Sequence, residues 1–391
     1  MWTRPVVKSG GREEILTNRP IFNGRSAISY GRFIAVAAAA SLAIAACSSE
    51  KPKAEASAEA MPANVLVSKA ECDRNKAAGT ITYISGYGYS ASAGQLDVFL
   101  AKELGYFDAL CLTVDINAAG GNGQQLVSSG QAQFTALGSA SDVMLAAANS
   151  RNLTAVATYG STSPFSIFAN EDVKSLKDLE GRKLGYFINI TPIALAMLDA
   201  AGVDVSKVEL VKMTNYDPTV VTRGQVDAIV GYASNQPQTL KAMGLPFSEF
   251  LPGDLGLQGT YNVMEVNSEF LSKHREAAAD FMRASLKALD LCLADEPKCV
   301  DMISKLAEDN NQGSAFPKDQ QARTWGVESA WVRASAFGPP GVQTADEWKN
   351  EYEMVQKFGG LKNPPPLESM MDTELVASLY KDGKLIWPEK K

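Results

Sequence analysis

Apolar and polar positions alternate with two different periods from Gly79 onward. "TITYIS" (Thr80–Ser85) reads as a short strand, and "AGQLDVFLAKELGYF" (Ala93–Phe107) has helical apolar spacing that stops near Gly105. "LTVDIN", "AQFTALG" and "LTAVATYG" read as further strands. The stretches between them, "GNGQQLVSSGQ" and "SDVMLAAANS", read as helices, the second capped by Ser141 or Asp142. Strands separated by single helices predict a parallel sheet with helices on both faces.

The pattern changes at "SPFSIFAN" (Ser163–Asn170) and a second block begins. "SLKDLEGRKLGYF" supplies a helix, a turn and the strand Lys183–Phe187; "TPIALAMLDAAG", "VELVKM", "DPTVVTRGQ" and "VDAIVGY" continue as helix, strand, helix, strand, to about Leu257. "YNVMEVNSEFL" reads as a strand leading away, and from Ser268 the chain is largely helical, most clearly in "REAAADFMRASLKALDLCLA". Asn310–Asp319 is a polar loop, Pro364–Pro366 a turn, and "DTELVASLY" a last short helix. The expectation is an α/β body of two lobes, each a parallel-rich sheet flanked by helices. Residues 71–162 and 264–391 form the first lobe and residues 163–263 the second, with a hinge where the chain crosses near Ser161–Phe168 and Thr260–Val266.

Ahead of this body, Arg25 and Arg32 precede the apolar run "FIAVAAAASLAIAA" (Phe33–Ala46), which is shorter than the roughly 20 residues of a membrane crossing. Residues 1–46 therefore read as a secretory signal peptide, and Ile44-Ala45-Ala46-Cys47 resembles a bacterial lipobox, in which the cysteine is lipidated on its sulfur and becomes the new amino terminus. A soluble secreted protein cut nearby is the alternative. The flank before Arg25 is longer than usual, which a start codon further downstream would explain. Residues 47–70, poor in large apolar side chains through Ala63, read as a flexible tether that keeps the folded body near a membrane surface.

Composition removes several function classes. The chain has 391 residues and a net charge of −7; beyond residue 46 the balance is −11, with no basic stripe, which excludes nucleic acid as a partner. Histidine occurs once, at His274 in a charged helical stretch, so multi-histidine metal sites are excluded and no metal or cofactor is expected. An exported chain meets oxidising conditions, so Cys72, Cys111, Cys292 and Cys299 suggest two disulfides. The nearest pairing is Cys72–Cys111 with Cys292–Cys299, but four cysteines allow three pairings and spacing does not choose.

"AKELGYFDALCLTVDINAAGGNGQQLVSSGQAQFTALGSASDVMLAA" resembles the opening of solute-binding proteins of ABC importers, the branch that handles aliphatic sulfonates, taurine, nitrate and thiamine-pyrimidine precursors. "SLKDLEGRKLGY", "GQVDAIVGY" and "VNSEFLSKHREAAADFMRASLKALDLCLADEP" are similar to later family elements in the same order. The tail "TADEWKNEYEMVQKFGGLKNPPPLESMMDTELVASLY" looks like the thiamine-pyrimidine branch. The resemblance spans about Thr80–Leu379 and implies the two-lobed periplasmic-binding-protein-like fold, a small-molecule ligand in a cleft, and permease and ATPase partners in a membrane. A pyrimidine synthase enzyme shares that fold, but its cysteine-rich iron motif is absent here and the lone His274 lies on a late helix, so a binder and not an enzyme is expected. A ligand sensor without a transport role is the remaining alternative.

Ligands of open α/β sheets sit beyond the carboxyl ends of strands. That rule selects "SGYGYSAS", "AAGGNGQ" and "GSASD" in the first block, and "INITP", "NYDPT" and "YASNQP" in the second. The candidate contacts are Tyr87, Tyr89, Ser90, Gly121, Asn122, Gly123, Ser139, Ser141, Asn189, Thr191, Tyr216, Asp217, Tyr232 and Asn235. Ser141, Thr191 and Asp217 are better explained as helix caps, and the glycines as turns, than as ligand contacts. Four tyrosines at strand exits exceed what turns require. Trp325 and Trp331 are weaker aromatic candidates, since core burial explains them as well. None of these loops contains Arg or Lys, whereas a small oxyanion is often gripped by an Arg fork. The pattern favours a flat, weakly charged ring that stacks and hydrogen-bonds, first a thiamine-pyrimidine-like precursor, with other flat aromatics open. Helix starts can also neutralise an anion, so an aliphatic sulfonate, taurine, nitrate or an aromatic carboxylate is the second choice.

Overall fold

Each of the two sheets carries one antiparallel strand, and in each case it is the strand that arrives from the other lobe. A computed structural model describes residues 64–118, 121–148, 152–215, 217–361 and 364–389, so the signal segment, Cys47 and most of the tether lie outside the described residues. The first sheet has the order β2-β1-β3-β10-β4, from β1 (Thr80–Ser85), β2 (Thr113–Asn117), β3 (Phe134–Leu137), β4 (Leu153–Gly160) and β10 (Tyr261–Asn267). The second has the order β7-β6-β8-β5-β9, from β5 (Phe165–Ala169), β6 (Lys183–Tyr186), β7 (Glu209–Lys212), β8 (Ala228–Tyr232) and β9 (Ser248–Phe250). Strand β1 pairs in parallel with β2 and β3, and β6 with β7 and β8, as the alternation of strand and helix demands. Strands β10 and β5 run the opposite way, against β3 and β4 and against β8 and β9. The sheets are therefore mixed, and the expected two-lobed α/β architecture is present.

The lobes are joined by residues 161–164 and 251–260, because Tyr261 already pairs with Gly160 in the first sheet. The strand that the sequence suggested would lead away from the second block is thus an interior strand of the first sheet, buried along its whole length.

The helices on the first sheet are α1 (Lys69–Ala77), α2 (Leu96–Glu103), α3 (Tyr106–Ala109), α4 (Gly123–Ser128) and α5 (Ala140–Ala147). Those on the second are α6 (Pro192–Ala200), α7 (Thr219–Thr222) and α8 (Gln236–Ala242). The carboxy-terminal region adds α9 (Ser268–Lys273), α10 (Arg275–Ala294), α11 (Glu296–Asp309), α12 (Lys318–Arg333) and α13 (Ala345–Phe358). Among the described residues no helix is long and apolar enough to cross a membrane. Helix α10 is the amphipathic run seen in the sequence, and its Phe281 stacks on Phe134 of β3 with ring centroids 4.1 Å apart and on Phe107 at 5.2 Å. Helix α13 touches both lobes: Trp348 and Val355 share an apolar cluster with Val143 of α5 and Ile193 of α6, and Lys357 pairs with Asp199 at 2.8 Å.

Both disulfides follow the nearest pairing, Cys72–Cys111 and Cys292–Cys299. The first ties α1 to the turn before β2; the second joins the end of α10 to the start of α11. The last stretch differs from the expected helix. Residues 377–379 form a single 3-10 turn, followed by the hairpin β11 (Tyr380–Lys381) and β12 (Lys384–Leu385). Its turn is Asp382-Gly383, both at positive φ (50° and 73°), the sequence signature of a tight hairpin.

Candidate ligand-binding site

The segment after β1 and the end of β8 meet across the two lobes. The Tyr87 and Tyr232 hydroxyls are 2.8 Å apart and the rings stand edge to face at 5.9 Å. Both hydroxyls lie over Gly138, just past β3: a β-carbon there would come within 2.1 Å of the Tyr232 oxygen and 3.1 Å of the Tyr87 oxygen. Glycine at 138 is what allows the two phenols to converge. The Tyr232 ring also packs on Phe165 at 4.9 Å, and its amide donates to Gln236 Oε1. Loss of solvent holds the Tyr232 phenol well above the ordinary tyrosine range, reinforced by Tyr87 and by the charge of Asp142.

Of the other residues expected on these loops, Ser139 stands beside this meeting point as the amino-terminal cap of α5, its amide donating to Asp142 Oδ2 at 3.2 Å. The cap is Ser139 rather than Ser141 or Asp142. Asp142 is the carboxylate that lies beside the tyrosine pair, and burial pushes its carboxyl up to about 6, with Glu351 adding to the shift. Asn235, after β8, is exposed and accepts from the Gln320 side chain.

The structure gives several candidates other work. Tyr89 turns from Tyr87 toward the core, against Phe99 at 4.9 Å and Phe316 at 6.3 Å. Ser90 closes a turn onto the Tyr87 carbonyl. Ser141 is buried and donates its hydroxyl (2.5 Å) and amide (2.8 Å) to Glu351 Oε1. Thr191 caps α6 by accepting from Ala194, with Pro192 in the first turn. Asp217 accepts from the Thr219 amide and hydroxyl and pairs with Arg223 at 2.8 Å, which holds its carboxyl below the usual range. Gly123 is a packing residue: a β-carbon there would lie 2.4 Å from Thr135 Oγ1, so its absence seats α4 on β3. Gly121, Asn122 and Asn189 are exposed. Tyr216 lies outside the described residues. Trp325 is core, its indole donating to the Cys292 carbonyl at 3.2 Å, and Trp331 packs edge-on to Tyr261 at 5.3 Å.

From α12, which lies against both lobes, the sequence offered only Trp325 and Trp331 and not its polar face. Gln321 holds the segment after β1, accepting from the Ala91 amide at 2.9 Å and donating to the Tyr89 carbonyl at 2.5 Å. One turn on, the Thr324 hydroxyl donates to the Ser234 carbonyl at 3.2 Å. One turn further, Glu328 accepts from the Ser234 hydroxyl at 2.7 Å and from the Tyr261 phenol. The spacing 321, 324, 328 is one helical face. Glu328 is 2% exposed, and desolvation pushes its carboxyl up to about 7. Asn262, also missed, is buried with φ +39°; its amide NH2 donates to the Ala93 carbonyl at 2.6 Å and its backbone N–H to the Gly138 carbonyl at 3.0 Å. A cavity of about 330 Å³ opens beside the crossings rather than at the tyrosine pair, lined by Ser161, Gln238, Leu257, Gly259, Val327 and Trp331 among others. Among the described residues no cluster of His, Cys, Asp and Glu is placed to hold a metal ion.

The family model described as "NMT1/THI5 like" matches residues 94–298, more than half of the chain. The chain belongs to the NMT1/THI5-like family. Within that frame it is 27% identical over 277 residues to a formylaminopyrimidine-binding protein of Halalkalibacterium halodurans, a match covering 68% of this chain and 82% of the relative. It is 25% identical over 243 residues to the riboflavin-binding protein RibY of Chloroflexus aurantiacus, covering 61% of this chain and 69% of the relative. The fold is shared with the periplasmic sulfonate-binding protein of a putative sulfonate ABC transporter from Methylobacillus flagellatus (TM-score 0.54, 16% identity), over 76% of this chain and 93% of that one.

Proposed function

We propose that this NMT1/THI5-like chain is an exported solute-binding component of an ABC importer, lipid-anchored through Cys47, that captures a small flat heterocycle between its lobes. The observation that carries the reading is the Tyr87–Tyr232 pair over Gly138. It puts two aromatic faces and two hydroxyls from opposite lobes at the strand exits, where ligands of such sheets bind. The residues brought together there are aromatic, hydroxylic and carboxylic, which suits a ring with hydrogen-bonding edges better than a small oxyanion. Two ring-binding relatives, of a formylaminopyrimidine and of riboflavin, support the same ligand class. In this reading Tyr87, Tyr232, Ser139 and Asn235 face the ligand, while Asn122 and Asn189 reach it from the rims. The lobes swing on residues 161–164 and 251–260, and ligand shifts the population toward closure by touching both sides at once.

Titration calorimetry of the purified chain against a 4-aminopyrimidine, riboflavin and an alkanesulfonate tests the proposal. The expected result is saturable binding of a ring compound and little or none of the sulfonate. Sulfonate binding alone would replace the ligand class; binding of none of the three would overturn the capture function. The anchor is tested separately by labelling cells with a fatty-acid analogue, with Cys47→Ala losing the label.

A further inference from the structure

Helix α12 holds the two lobes by different side chains, and one carboxyl lies at the junction. Gln321 and Trp325 attach α12 to the first lobe, through the Ala91 amide at 2.9 Å and the Cys292 carbonyl at 3.2 Å. Ser234, just past β8 in the second lobe, is bound twice: its carbonyl accepts from Thr324 and its hydroxyl donates to Glu328 at 2.7 Å. The other oxygen of Glu328 accepts from Tyr261, the first residue of the returning strand. The Tyr261 phenol in turn meets the Ser92 hydroxyl at 3.2 Å and the Ala93 amide at 3.1 Å. Glu328, Ser234, Tyr261 and Ser92 are all buried, at 2%, 1%, 0% and 5% exposure.

We infer that Glu328 is a positioning residue that latches the second lobe onto α12, and that it makes closure of the site depend on protons. The inference takes its purpose from the capture function proposed above, but its mechanics rest on the network alone. The groups that donate directly to the carboxyl are the Ser234 and Tyr261 hydroxyls, which can donate to a carboxylate or accept from a carboxylic acid, so those two bonds survive either protonation state. What changes is the cost of keeping a charge out of water. Among the described residues Glu328 is in no ion pair: on its own helix Arg323 is committed to Asp319 at 2.9 Å and Arg333 to Glu296 at 2.6 Å. The titratable groups facing it from other elements are the phenols of Tyr261 (β10) and Tyr232 (β8), neither of which supplies positive charge. Parting the lobes breaks the Ser234 bond and lets water reach the carboxyl, which returns it toward an ordinary glutamate. A group whose proton is held more tightly in the closed form favours that form at low pH and loses the effect as pH rises through its closed-state value. For Glu328 the window runs from the ordinary glutamate range up to about 7.

The test uses the full chain without ligand. Spin labels at Asp115→Cys on β2 and Glu209→Cys on β7, in a Cys47→Ser background with both disulfides intact, report the distance between lobes. In the wild-type latch the distribution should be short at pH 5.5 and shift toward longer distances at pH 8. Glu328→Gln, neutral at every pH, should stay short at both. Ser234→Ala, which cuts only the second-lobe arm, should be lengthened at both and provides the answer if the Gln variant does not fold. A wild-type distribution that is unchanged between pH 5.5 and 8, or a Glu328→Gln variant that opens as the wild type does, overturns the inference. Since no ligand is present, that outcome is separate from the calorimetry that tests the capture function.

Discussion

The hydroxyls of Tyr87 and Tyr232 touch at 2.8 Å although 145 residues separate them and they belong to opposite lobes. Gly138 provides the space for both. Gly138→Ala therefore has a specific expected effect. Its methyl group collides with the far end of a side chain and not with backbone, so the tyrosines part and the folded lobes remain. Ligand affinity should fall tenfold or more while the melting temperature moves little. Tyr232→Phe should cost affinity by about 0.5–1.5 kcal/mol, the net value of one hydrogen bond. Calorimetry and thermal melts on the same preparations check both, and a Gly138→Ala protein that binds normally would remove the pair from the site.

Glu351 of α13 accepts four hydrogen bonds while 2% exposed: the amide and hydroxyl of Ser141 on one oxygen, the amide and hydroxyl of Thr260 on the other. Ser141 opens α5 and Thr260 ends the return crossing, so one carboxylate fixes the carboxy-terminal helix to the start of the hinge strand. Glu351→Ala strands two buried amides without a partner and should destabilise the fold by about 3 kcal/mol in urea unfolding. Replacement by Gln keeps the volume and one acceptor but sets its NH2 against one of the two amides, so it should recover only part of that loss.

These two sites mark the boundary of what could be read from residues alone. Period and order of elements revealed two α/β blocks, because each strand and helix buries one face and its spacing records that. The strand-exit rule singled out Tyr87 and Tyr232 among its candidates, and the fold brings their hydroxyls together. The direction of β10 and β5 was not legible, since a strand's apolar pattern is the same read either way. Tyr89 and Tyr87 sit two apart in "YGY", and nothing local says that one ring turns to Phe99 and the other to the opposite lobe. Glu328 looks in sequence like any charged residue on an amphipathic helix; only the fold shows that its face of α12 meets Ser234. Gly138 could not be singled out from sequence, because the atoms that need its space come from residues 51 before and 94 after it.

The two disulfides close loops of different length, with sequence separations of 39 and 7 residues. By chain entropy the longer loop is worth about 4 kcal/mol and the shorter about 2.5. Replacing Cys72 and Cys111 by serine should therefore lower unfolding free energy more than replacing Cys292 and Cys299, although Cys292 and Cys299 are the more deeply buried pair (0% each against 1% and 9%). Denaturant unfolding of the two double variants gives the order directly; the reverse order would mean that packing around α10 and α11 outweighs loop length.

Stability should also vary with pH in a direction uncommon for carboxylates. Asp97 of α2 is fully buried and accepts from the Gly94 amide at 2.6 Å and the Tyr159 phenol at 3.1 Å, yet desolvation outweighs both bonds and pushes its carboxyl up to about 7. Asp142 at about 6 and Glu328 at about 7 shift the same way. A carboxyl raised in the folded state contributes stability that is complete below its unfolded value and is lost as pH rises through the folded value. Surface acids shift the other way, as at Asp204, held low by the Ser206 hydroxyl, and Asp217, held low by Thr219, and these lose their contribution below about pH 4. Being exposed they are screened and count for less. The unfolding free energy should peak near pH 5 and decline toward pH 8. In Asp97→Asn the acceptor of the Gly94 bond remains and the charge is gone, so the decline between pH 5 and 8 should flatten. Urea midpoints across that range check the slope, and a wild-type protein that gains stability from pH 5 to 8 would show that these buried acids stay ionised.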